Sequence, residues 1–326
     1  MFSYRALLKQ AWGITRKNKH LWLFGLFASL TAAGGSWEYQ ALAKNLNKSL
    51  LSGDYLPVNG LVVFAELLKN MGRGLIDMFS YDFWVGLNVV SLLIIILVFT
   101  GLFVWLAIAS QSALIDSVKK LSNPKTAKKA TEASIRATLT DGHRHFWPVF
   151  GLNLLIKVSL SFISFLITLP LLFLVFINSS GLAASYVILF IILVPIGTGL
   201  ALMIKYAICY KVLDNCSFVS SIEKGWKIFK KYWLISLETA IILFVITLGA
   251  GLALLLLLTI VITPILAAGI IFQAVWIIIL ALLLAFAVIV FAGAILTTFQ
   301  VSAWTGLFLQ LKEGVGLAKL ERVFRK

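Results

Sequence analysis

The sequence predicts an all-α, polytopic transmembrane helical bundle with six spans and with interfacial amphipathic helices. Of 326 residues, 61% are hydrophobic and 13% are charged. A soluble domain carries roughly 25% charged residues to cover its surface, so most of this chain's outer surface must face lipid. The apolar residues are gathered into runs, and about 20 helical residues are enough to cross roughly 30 Å of hydrocarbon. The bases that give the net charge of +15 lie beside those runs rather than on a separate polar domain. That placement points to anionic headgroups as partners and argues against nucleic acid.

Residues 1–20 read as a cytoplasmic amphipathic helix, with Tyr4, Leu7, Leu8, Ala11 and Ile14 toward lipid and Arg5, Lys9 and Arg16 away. Residues 21–37 form the first and shortest span. Its basic start and Gly34-Gly35-Ser36 mimic a signal peptide, but the long basic helix before it favours a retained span. Residues 38–83 form an outer loop with two amphipathic helices, one carrying Tyr39, Leu42, Ala43, Leu46 and Leu50, the other residues 61–71. At this size it is too small for an independent enzyme domain.

The second span covers 84–115 and the third 146–177, which opens with Pro148 in its first turn, where a missing N–H costs little. Between them, 116–145 is a basic loop and helix, with Asn123-Pro124 as its start signal and Gly142 as its stop. The fourth span is 183–213, and 214–232 is a further cytoplasmic amphipathic helix. The fifth span, 233–263, stops at Pro264, and the sixth is 275–311. Residues 265–274 are too short to cross alone, and are either re-entrant or the top of the sixth helix. The tail is 312–326.

Loop charge sets the orientation. Under six spans every basic loop falls on one face, while the other face holds only Lys44, Lys48, Lys69 and Arg73 against Glu38, Asp54, Glu66, Asp77 and Asp82. The positive-inside rule makes the basic face cytoplasmic, with both termini on it. Cys209 and Cys216 then lie on the reducing side without CxxC spacing, and a disulfide framework is excluded.

A unit recurs: an amphipathic helix, a knee of bases, a tryptophan and a span. The knees are Arg16 to Trp22, His143 to Trp147, and Lys230 to Trp233. In the third, Ile222, Trp226, Phe229 and Trp233 make one helical stripe opposite Glu223, Lys227, Lys230 and Lys231, and Ser220 with Glu223 has capping-box spacing. Trp22, Trp147, Trp226 and Trp233 are the expected interfacial anchors.

Residues 205–247, with Tyr206, Val212-Leu213, Ser220-Ser221-Ile222, Gly225-Trp226 and Tyr232-Trp233 before a long apolar run, resemble the membrane domain of bacterial glycerophosphodiester phosphodiesterases and related stand-alone membrane proteins. Residues 133–155 are a weaker second match, and the resemblance extends over 85–312. It implies a six-span bundle in a bacterial cytoplasmic (inner) membrane and a role near membrane lipids. No soluble catalytic domain accompanies it here, so no phosphodiesterase residue is carried over.

No GxSxG, Walker A, HExxH or paired CxxC occurs. His143 and His145 with Asp141 make a poor metal site, because residues two apart face different ways and nearby bases repel a cation. No catalytic, metal or cofactor site is therefore expected. Three ionisable residues do fall inside spans: Lys157, Lys205 and Glu238. The lysines can snorkel; Glu238 cannot reach so easily. An intramembrane polar cluster of Glu238, Lys205 and Lys157, with Asn153 beside it, is expected as a clamp or the floor of a headgroup cavity. Pro195-Ile196-Gly197-Thr198-Gly199 is the expected helix break. The function these features predict is non-enzymatic: binding or organising lipids, or scaffolding other membrane proteins. The alternative is a small permease or lipid transporter working through the Glu238 cluster and the Pro195 break.

Overall fold

The computed structural model describes residues 3–33, 69, 73, 83–123, 142–176 and 180–314. Among the described residues all regular structure is helical: α1 (Tyr4–Lys17), α2 (Leu21–Ala33), α3 (Phe83–Ser122), α4 (Phe146–Phe176), α5 (Ser180–Asp214), α6 (Phe218–Lys231), α7 (Trp233–Ile271) and α8 (Val275–Lys312). Helices α3, α4, α5, α7 and α8 are each long and apolar enough to cross a membrane. The expected first span is described only as α2, of 13 residues. Of the outer loop 38–83 only residues 69, 73 and 83 are described, and residues 124–141, between α3 and α4, lie outside the described residues.

The chain forms two units, residues 1–31, 106–152 and 201–326 in one, and 32–105 with 153–200 in the other. In the second, Gly197 lets α5 approach α4, since a Cβ there would sit 3.2 Å from Leu160. Its long apolar side chains point outward, as Leu97 and Ile191 do, 73% and 64% exposed. Apolar surface of that kind is what lipid covers.

The first unit holds the buried core. Helix α8 packs along α7 and under α1. Gly25 lets α2 cross α8, because a Cβ there would strike the Ala294 carbonyl and the Thr298 hydroxyl. Leu21, Phe24 and Ala28 of α2 close a cluster with Ala113, Leu114 and Val118 of α3 and Ile14 of α1. At the basic end, lysines hold the last turn of α5. Lys119 Nζ donates to the Leu213 carbonyl at 2.7 Å, and Lys312 pairs with Asp214 at 2.7 Å. Cations are favoured there by the partial negative charge of a helix C-terminus.

Two helix-end expectations are corrected. Helix α7 continues through Pro264 to Ile271, so residues 265–271 extend α7 and are neither re-entrant nor the start of α8. The turn comes at Gln273, with φ of 51°, and Ala274 N–H closes it onto the Gly269 carbonyl at 2.9 Å. Helix α5 likewise runs unbroken through Pro195. A proline removes one backbone donor, and an apolar helix held by its other hydrogen bonds can absorb that loss.

Helices α1 and α6 are the same element twice, and they align residue for residue. Ser3 and Ser217 are the N-caps, accepting from Ala6 N–H at 3.4 Å and Ser220 N–H at 3.3 Å. Each helix has 14 residues, and each ends with a cap N–H donated to an isoleucine carbonyl, Asn18 to Ile14 and Tyr232 to Ile228. The buried faces also correspond: Leu7, Ala11 and Ile14 with Ser221, Gly225 and Ile228. Outward lie Trp12 and Trp226, 51% and 50% exposed.

This register revises the sequence reading in three places. The capping serine of α6 is Ser217 rather than Ser220, and Glu223 pairs with Lys227 at 2.6 Å instead of capping. Trp226 corresponds to Trp12, whereas Trp233 does not correspond to Trp22. The expected lipid-facing residues Leu7, Ala11 and Ile14 are buried, with Leu7 against Gly306 of α8. In α6 the face that docks is the small one: a Cβ on Gly225 would lie 3.0 Å from the Ala207 N–H nitrogen and the Met203 carbonyl oxygen of α5. That leaves the apolar side chains of Ile222, Trp226 and Phe229 partly or wholly exposed.

Candidate functional site

The four residues of the expected polar cluster fall in both units. Lys157 and Asn153 belong to the second, Lys205 and Glu238 to the first. Lys205 is exposed, and its ammonium lies 4.5 Å from the centroid of the Trp304 ring, within cation–π range. Glu238 is half-buried, and the Tyr4 hydroxyl donates to its Oε2. Tyr4 was absent from the sequence-derived set: the two residues are 234 apart in the chain, and a tyrosine at the start of an amphipathic helix carries no signal of its own.

Of the expected anchors, Trp147, Trp226 and Trp233 are 77%, 50% and 55% exposed. Trp22 is used differently, because its indole N–H donates to the Thr15 carbonyl at 2.8 Å and its ring meets Phe291 edge-on. With Asn18 Nδ2 donating to the Ile14 carbonyl at 2.9 Å, it staples the knee between α1 and α2. Burial there holds the His20 imidazole below its usual pKa.

The Tyr4–Glu238 contact ties the first turn of α1 to α7 beside a long apolar groove of about 910 Å³. One wall is Ile246, Ala250, Leu254 and Leu257 of α7; the other is Ala292, Leu296 and Phe299 of α8. These residues recur at three- and four-residue spacing, so each wall is one helix face. Small side chains at 250, 253 and 292 open the trough. Gln300 Nε2 donates to Thr247 Oγ1 at 2.8 Å, setting the register of α7 and α8 at one end. Helix α1 closes that same end, where Trp12 meets Phe299 edge-on at 6.1 Å.

Arg5, Leu8, Lys9 and Trp12 line the groove from α1, again one helix face. Neither base is in an ion pair among the described residues. From Ile246 to Leu257 the trough is about 16 Å long at roughly 1.5 Å per residue. That is about half the hydrocarbon thickness of a bilayer, the depth of one leaflet.

A second cavity, of about 710 Å³, lies among polar residues at the ends of α3 and α8. Two lysines and two carboxylates line it, Lys119 and Lys120 with Asp116 and Glu313, and Lys120 is already paired with Asp116 at 2.6 Å. It therefore lacks the unbalanced positive charge of the groove. Among the described residues no group of histidine, cysteine, aspartate and glutamate is arranged to hold a metal.

Fold and groove together define a multi-pass helical membrane protein. Comparison of the chain with protein-family models, curated sequences and solved structures finds no match.

Proposed function

We propose that this protein is a non-catalytic, lipid-binding component of a bacterial cytoplasmic membrane, holding one acyl chain of a membrane lipid in the groove between α7 and α8. The observation that carries this is the groove itself, an apolar trough one leaflet deep, open along its side and closed at one end by α1. In this arrangement the chain has six spans, with 21–37 as the first and both termini cytoplasmic. Helices α1 and α6 lie in the plane of the cytoplasmic leaflet, as their exposed Trp12 and Trp226 favour. The similarity of residues 205–247 to phosphodiesterase-linked membrane domains accords with a role beside lipids, and the chain would organise lipid or present it to a membrane partner.

Native mass spectrometry of gently solubilised protein tests this. The wild type should carry lipid, and Ala250→Phe, which fills the trough from α7, should lower its occupancy about tenfold, equivalent to about 1.4 kcal/mol. Equal lipid on both, with an unchanged melting temperature showing both folded, would exclude the groove as the site.

A further inference from the structure

Resting on that reading of the groove, we infer that the bound lipid has an anionic, phosphate-bearing headgroup and that Arg5 and Lys9 are the clamp that selects it. The paired helices α1 and α6 separate the bases the element needs from those it does not. Helices α1 and α6 share caps, length, docking face and outward tryptophan, so one serves as a control for what the element needs in order to fold. Some bases are common to both: Arg16 and Lys17 correspond to Lys230 and Lys231 in the last turn. There they complement the helix C-terminus and supply general attraction to an anionic surface.

Arg5 and Lys9 are not common to both. Their counterparts are Val219 and Glu223, the first an exposed apolar residue and the second neutralised by Lys227 at 2.6 Å. The element thus folds without bases at these positions. They occur only in the copy that closes the groove, and both line it.

Their spacing fits the role. Residues four apart share a helix face, so the two cations converge on one point at the groove's end. A guanidinium offers a planar fork matched to two phosphate oxygens, and an ammonium adds a compact point charge. A headgroup held there leaves its chain to run away from α1, along Ala250 and Leu254 toward Leu257.

The test is the double variant Arg5→Val with Lys9→Glu, which gives α1 the residues of its counterpart and so should fold. Wild type and variant are placed in nanodiscs containing equal phosphatidylglycerol and phosphatidylcholine, and retained lipid is identified by native mass spectrometry. Wild type should prefer phosphatidylglycerol about tenfold, because both headgroups offer a phosphate but the choline of the zwitterionic lipid brings a like charge up to Arg5 and Lys9. The variant should still carry lipid but show no preference, and Arg16→Gln with Lys17→Gln should keep it. A preference that survives in Arg5→Val/Lys9→Glu, or no preference in the wild type, overturns the clamp while leaving the groove intact. No retained lipid on the wild type overturns the groove and the clamp together.

Discussion

Glu238 shows how a single side chain is made tolerable in an apolar helix. Glu238 lies where the first turn of α1 meets α7, and a half-buried carboxyl group is costly there without a hydrogen-bond partner. The Tyr4 phenol supplies a hydrogen bond to the carboxylate, and a bond to a charged acceptor contributes about 1.5–3 kcal/mol. Tyr4→Phe should therefore lower stability by an amount in that range, read as a reduced melting temperature in detergent. Glu238→Gln should lower it less, because the amide carbonyl still accepts from the phenol. If neither variant shifts the melt, the contact contributes nothing and α1 is held by its other contacts, those of Leu7, Ala11, Ile14 and Trp12 among them. Glu238 was legible in the sequence as an anomaly, since a carboxylate stands out in an apolar run. Its partner was not, because periodicity reports which residues share a face and says nothing about contacts across most of the chain.

At the scale of the element, two of the three expected basic helices, α1 and α6, lie among the described residues, and their mutual register was not visible in the sequence. The eye is drawn to bases next to tryptophan, which aligns Trp22 with Trp233. The structure aligns Trp12 with Trp226, because the helix is seated by Ala11 and Gly225, and small residues give no hydropathic signal. The groove escaped for the same reason, being made by alanines within apolar runs that look uniform. Seating by a small residue has a direct consequence. With a Cβ at Gly225 already 3.0 Å from two α5 backbone atoms, the branched side chain of Gly225→Val cannot fit without lifting α6. Overpacking of this kind costs about 1–3 kcal/mol. Trypsin should then cut at Lys227, Lys230 and Lys231 severalfold faster than in wild type, while cleavage elsewhere is unchanged. Equal cutting rates would mean that α6 is retained by contacts other than this face.

At the scale of the whole molecule, the long helices were legible because hydrocarbon thickness fixes their minimum length, and each of the five spanning candidates coincides with an apolar run expected to cross. Their ends were less so: Pro264 looked like a stop, yet α7 passes through it to Ile271. Span number decides whether the basic loops share one face, and the two cysteines allow it to be measured. Cys209 is buried, whereas Cys216 is partly accessible in the turn between α5 and α6. Under six spans that turn is cytoplasmic. A membrane-impermeant maleimide added to right-side-out vesicles should leave Cys216 unlabelled until the membrane is permeabilised, with Cys209 silent throughout. A cysteine placed in the first outer loop, Lys44→Cys, should label at once. Labelling of Cys216 in sealed vesicles would reverse the orientation and remove the positive-inside argument. Arg16→Cys, before residues 21–37 and exposed on α1, should stay unlabelled until permeabilisation as Cys216 does. Its labelling in sealed vesicles, with Cys216 still protected, would place both sides of 21–37 on the outer face, leaving five spans and putting the termini on opposite sides of the membrane.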